Sequence, residues 1–176
     1  MRKKLLSVLL FWLVILGGFV GYREYLLRTG AQVLLHTMPV DPRDIFMGDY
    51  IRLGYPISMI DMSKLAGASS TSPVLSFESG DTVYVMLTRQ DDGSYAASRI
   101  SKGPQPGALQ IRGTVSYQSG TVLYVSYGIE QYYIPEGSGA GLGMASGKKI
   151  DVIVALSSDG TPAIKELLLN GAEAHF

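Results

Sequence analysis

Residues 5–22, LLSVLLFWLVILGGFVGY, run for eighteen positions without one charged side chain, directly behind the basic tip Arg2-Lys3-Lys4. A helix on the surface of a water-soluble domain carries a polar face, and this stretch has none. Its length falls at the lower end of the roughly 17 to 25 residues that cross a bilayer. Trp12 lies mid-span, whereas Tyr22 and Tyr25 stand near the far boundary, where aromatic rings favour the interface. The rival reading is a cleaved secretory signal, for which Gly17, Gly18 and Gly21 supply small residues. The apolar run exceeds the usual signal core, however, and no A-x-A pattern follows. The stretch reads as an uncleaved membrane anchor.

Orientation follows from the tip. Lysine and arginine close to a span stay cytoplasmic, which places the chain beyond the stalk outside, although Arg23 and Arg28 lie on that far side. The expected location is the cell inner membrane, crossed once. Residues 1–28 are the tip, anchor and stalk, and 29–176 are one outer domain, long enough for a sizeable core. Basic and acidic side chains number 15 each, so removing the tip leaves twelve basic against fifteen acidic. Such a balance offers no basic face for nucleic acid. With no cysteine in the chain, thiol catalysis, thiolate metal sites and disulfides are excluded.

Beyond a short helical continuation at REYLLRTG the pattern turns extended. AQVLLHTMPV is a β-rich run that ends at Pro39, and DYIRLGYPIS alternates, with Ile51, Leu53 and Tyr55 on one face and Tyr50 and Arg52 on the other. Residues 67–73, rich in Ser, Gly and Thr, read as an exposed flexible loop. Three hairpins are then expected: DTVYVMLTRQ with YAASRIS across the turn DDGS, ALQIRGTVSYQ with TVLYVSYG, and IDVIVALS with TPAIKELLLNG across SDG. IEQYYIPEG adds a short strand, and SGAGLGMASGKK is a glycine-rich connection. The fold class is mainly β: an antiparallel, hairpin-rich domain, barrel or sandwich-like, on a single N-terminal transmembrane helix.

DPRDIFMGDYIRLGY, residues 41–55, holds the densest chemistry: three aspartates, two arginines and two tyrosines. A turn that feeds a strand explains much of it. Asp41-Pro42 starts a turn, Gly48 can take a positive φ, and Asp49 can close the turn through its carboxylate. An acid–base reading pairs Asp44 or Asp49 with a second carboxylate, but Arg43 and Arg52 would hold both ionised. A metal reading gathers His36, Asp41, Asp44 and Asp49, without the spacing of a calcium loop. Nucleophilic catalysis has no G-x-S-x-G to rest on, and His36 in VLLHTMPV fits a partly buried strand residue. The loop GSGAGLGMASGKK fails the P-loop pattern, with Leu142 where a glycine belongs and Lys149 where Ser or Thr belongs. No motif calls for a cofactor. In SYGIEQYYIPEG, Tyr127, Tyr132 and Tyr133 stand among Glu130 and Glu136, so that one tyrosine can pack inward while another is displayed at an edge.

Gly48-Asp49-Tyr50-Ile51-Arg52-Leu53-Gly54-Tyr55, the preceding PVDPRD, the later YGIEQYYIPEG and the closing VALSSDGTPAIKELLLNG together resemble the GDYXXLXY family of bacterial membrane-anchored proteins. The resemblance covers most of residues 31–171. It implies a single-span protein with an outer domain, often encoded beside multi-span membrane proteins and so part of a complex. It implies no particular catalysis. Family members commonly carry an acidic residue just after PEG, where SGAGLGMAS here has none.

The expectation is therefore an accessory or binding module that docks on a polytopic membrane protein. Its candidate binding residues are Arg43, Asp44, Asp49, Tyr50, Arg52, Tyr132 and Glu136. Two alternatives stay open: an envelope hydrolase using Asp44 or Asp49, with or without a divalent metal, and capture of a small anion by Arg43 and Arg52.

Overall fold

The computed structural model describes residues 2–38, 50–65, 76–133 and 149–174. An unbroken helix α1 (Arg2–Thr29) leads the chain. Its segment Leu6–Thr29 is long and apolar enough to cross a membrane, and its most hydrophobic eighteen-residue window is wholly exposed. Such a surface is unstable in water and suited to lipid. The helical continuation expected at 23–30 is its last turns.

Eleven strands follow among the described residues: β1 (Ala31–His36), β2 (Tyr50–Arg52), β3 (Met59–Asp61), β4 (Thr82–Arg89), β5 (Tyr95–Ser101), β6 (Gln110–Ser119), β7 (Val122–Ser126), β8 (Gln131–Tyr133), β9 (Ile150–Leu156), β10 (Pro162–Leu169) and β11 (Ala172–Glu173). They form three antiparallel sheets, ordered β1-β9-β10-β11, β2-β8 and β3-β7-β6-β4-β5. Together these wrap one core as a nearly closed, barrel-like wall. The structure is thus mainly antiparallel β behind one apolar helix, and the three expected hairpins are β4–β5, β6–β7 and β9–β10.

Alternation builds the core. Val83, Val85 and Leu87 of β4, Ile111 and Val115 of β6, and Leu123 and Val125 of β7 are buried, while Arg112 and Thr114 between them are exposed. Each of the three hairpins carries a register shift, at Met86/Leu87, Val115/Tyr117 and Ile164/Glu166. Such bulges sharpen twist and bend, which curls a sheet toward closure. Gly113 has a different task. A Cβ there would collide with Val125 Cγ1 and lie 2.9 Å from the ring of Tyr127, so glycine is what lets that tyrosine lie across β6.

Two elements escaped sequence reasoning. Strand β3 is only three residues long and sits between two short 3-10 turns, Pro56–Ser58 and Met62–Lys64, which hide any period-2 signal. Strand β11 is two residues at the rim of the first sheet. The expected turn at 41–49, the positive φ at Gly48, the loop at 67–73 and, but for Lys149, the glycine-rich connection from 138 to 149 lie outside the described residues.

Candidate functional site

The alternation in DYIRLGY places the motif as expected. Leu53 is 2% exposed and Tyr55 0%, while Arg52, the last residue of β2, faces solvent. β2 pairs with β8 in the register Tyr50↔Tyr133, Ile51↔Tyr132 and Arg52↔Gln131. Two of the segments that carry the family resemblance therefore lie side by side.

Tyrosine hydroxyls lock them together. Tyr55 Oη donates to the carbonyl of Ile129 at 2.8 Å, and Tyr127 Oη donates to the carbonyl of Ile57 at 2.6 Å, both bonds buried. Leu53 N donates to the carbonyl of Glu130 at 2.8 Å, and Tyr127 N donates to Glu130 Oε1 at 2.5 Å. Burial, and next the charge of Glu130, pushes both phenols well above their usual range, so they stay protonated donors. On the other side, Met38 N donates to the carbonyl of Gly54 at 2.8 Å, so the chain before and after 39–49 meets there. Tyr55 and Tyr127 are scaffold; the sequence motif owes its last tyrosine to the core.

The outer face of the ribbon is different. Arg52 makes no ion pair among the described residues. It borders a cleft of about 480 Å³ lined also by Gly54, Ser126, Gly128, Glu130 and Gln131. Tyr133 is 68% exposed and its hydroxyl donates to Gln131 Oε1 at 3.3 Å. Tyr132 packs half-buried against the core, so β8 has one tyrosine inward and one displayed. Tyr50 is placed by its backbone opposite Tyr133. Arg43, Asp44, Asp49 and Glu136 lie outside the described residues, as do the side chains of Tyr50 and Ile51. What the structure brings together is thus Arg52, Gln131 and Tyr133 on one exposed strip, with Tyr132 behind it.

A second polar cluster was not foreseen. His36, at the end of β1, holds Asp151 Oδ1 of β9 through Nδ1 at 2.8 Å and Asp92 Oδ2 of the β4–β5 turn through Nε2 at 2.8 Å. Asp92 is fixed in turn by Ser94 N and Ser94 Oγ, at 3.0 and 2.6 Å. Asp151 is buried, and Lys149 Nζ stands 3.6 Å from its other oxygen. The bond to Asp92, then that to Asp151, raises the His36 pKa above its ordinary value. An imidazolium held by two carboxylates is a clip, not a base: it ties the first sheet to the five-stranded one. The clip sits on the rim of a groove of about 790 Å³ with apolar walls from Ile57, Ile60, Tyr95 and Ala97. Among the described residues no three His, Asp or Glu side chains converge as a metal would require. One signal for the clip stood in the sequence: Asp151 is a lone charge in the apolar strand IDVIVAL, and a buried carboxylate needs a partner.

A family model described as GDYXXLXY protein matches residues 12–167. That span is most of the chain, which belongs to the GDYXXLXY family. Neither the curated proteins nor the solved structures give a match.

Proposed function

We propose that this member of the GDYXXLXY family is a binding module, anchored by α1 in the bacterial inner membrane with its β domain outside the cytoplasm, that docks on a polytopic membrane protein. One observation carries the reading. The β2–β8 ribbon is pinned to the core by buried tyrosine hydroxyls on one side and presents Arg52, Gln131 and Tyr133 to solvent on the other. Arginine and tyrosine are the residues that recur at the energetic centres of protein interfaces. An arginine that makes no ion pair among the described residues suits a partner that brings a carboxylate. The apolar helix supports membrane attachment, and the Arg2-Lys3-Lys4 tip supports a cytoplasmic N-terminus.

Affinity isolation from detergent-solubilised membranes tests the docking. The full-length chain should bring down a larger multi-span protein, and Tyr133→Ala should weaken that recovery while the variant's melting temperature stays near the wild type. Equal recovery by a folded Tyr133→Ala variant would remove the ribbon from the account. Topology is tested separately, by a periplasm-active reporter fused after residue 176, which should be active where a cytoplasm-active reporter is silent. The reverse pattern would overturn the localisation.

A further inference from the structure

The junction between helix and domain has no slack. α1 ends at Thr29, β1 begins at Ala31, and Gly30 alone stands between them. Gly30 N donates to the carbonyl of Leu26 at 2.8 Å, closing the helix. A Cβ on Gly30 would lie 2.7 Å from that carbonyl oxygen and 2.9 Å from the one of Leu156, so backbone meets backbone there. Leu26 is 6% exposed, and α1 packs on β9 and β10. A domain joined this way cannot swing on a tether.

Helix rise fixes its height. The apolar run closes at Tyr22, and Leu26 follows four residues later, about 6 Å higher at 1.5 Å per residue. The headgroup layer on each side of the hydrocarbon core is roughly 5 to 7 Å thick. Leu26 therefore stands within that layer or at its outer edge, and a tilted helix would sit lower still. At this level a cleft of about 420 Å³ opens between Tyr22 and Tyr25 on the helix and Leu109, Ser157 and Ser158 on the domain. Both tyrosines are more than half exposed, as interfacial rings are. No charged side chain among the described residues lines the cleft.

We infer that the base of the β domain, at Leu109, Ser157 and Ser158, is seated in the outer headgroup layer, with the cleft filled by headgroups of zwitterionic phospholipid. The inference rests on α1 being a membrane span. It assigns the domain a lipid-facing end, made by the 102–109 connection and the β9–β10 turn, and leaves the opposite end, where β11 lies, in water. A cleft without fixed charge selects no anionic lipid, so seating depends on height and not on lipid charge.

The absence of cysteine makes the test direct. Spin labels are placed through Leu13→Cys, Ser158→Cys and Glu173→Cys on the full-length protein in phosphatidylcholine vesicles, and depth is read from collisions with oxygen and with a water-soluble nickel chelate. Glu173 lies on β11, about 20 Å along β10 from the base at 3.3 Å per residue. The label at 13 should be in hydrocarbon, that at 158 at headgroup depth, and that at 173 in water. Adding phosphatidylglycerol should not move the label at 158, and inserting Gly-Ser-Gly between Thr29 and Gly30 should release it to water. If position 158 is as water-accessible as 173 while 13 stays in lipid, the seating is wrong and the anchor stands. A label at 13 in water would remove both. A depth at 158 that survives the insertion, or that appears only with phosphatidylglycerol, would overturn the height argument.

Discussion

Tyr55→Phe removes a single oxygen from the centre of the molecule, and the structure says what that costs. The ring is 0% exposed and its hydroxyl donates to the Ile129 carbonyl, 74 residues away, at 2.8 Å. Phenylalanine keeps the ring packing but leaves the buried carbonyl without that donor, a loss of about 1 to 3 kcal/mol. For a domain of this size that is a fall in melting temperature of about 3 to 9 °C. Tyr127→Phe removes the reciprocal bond to Ile57 and should cost a similar amount. The two bonds clamp the same pair of segments, so the double variant should deviate from additivity by about 0.5 kcal/mol or more. Desolvation raises both phenol pKa values, so the effect should be constant across neutral pH. The assay is thermal and urea unfolding of the full-length protein in detergent, by far-UV circular dichroism. If Tyr55→Phe unfolds within about 0.3 kcal/mol of the wild type, the hydroxyl is not a clamp and the reason given for the motif's last tyrosine fails.

Leu53→Ala should cost about 2 to 5 kcal/mol, because it empties a fully packed core position, whereas Arg52→Ala next to it should change stability by less than about 0.5 kcal/mol. Urea midpoints of the two variants check this, and an Arg52→Ala protein that unfolds would make the whole motif scaffold. Gly113→Ala should destabilise by about 1 to 3 kcal/mol through overpacking against Val125 and Tyr127, and a melt equal to the wild type would show that β6 yields. The His36 clip predicts a pH dependence of definite sign. Its folded pKa is raised, so its contribution is fully present below the unfolded value of about 6.5 and is lost as pH rises through the folded pKa. Melting temperature relative to His36→Gln should therefore fall as pH rises above the unfolded value of about 6.5, and a constant difference would deny that the imidazolium matters.

How much of this was written in the sequence depends on which property is asked for. Period-2 alternation told which way Leu53, Tyr55 and Arg52 point, and DDGS and SDG marked two hairpins, because faces and turns are local. Partners are not local. Nothing in AQVLLH or IDVIVAL says that they pair, yet β1 and β9 run in register from Ala31↔Leu156 to His36↔Asp151. The meeting of Tyr55 with Ile129 was likewise invisible, since alternation supplies an inward direction and no address. His36 was legible as half-buried, and Asp151 as a charge needing company, but only the sheet order joins them across 115 positions. Of the candidate binding residues, Arg52 faces outward as its alternation placed it, whereas alternation set Tyr132 and Tyr133 on opposite faces without telling which one is inward, and Tyr132 is the one packed against the core. Gln131 and Tyr133 were passed over as binding residues, since an exposed strand residue looks alike whether or not it is used.

The most direct test of the central claim is site-specific photo-crosslinking in living cells, with a benzophenone amino acid at Tyr133 and, as control, at Glu173. A docking ribbon predicts a single heavy adduct at position 133, containing a multi-span membrane protein, that is lost with Arg52→Ala and absent at position 173. Adducts equal at both positions, or none at 133 from protein shown to be folded and in the membrane, would contradict it.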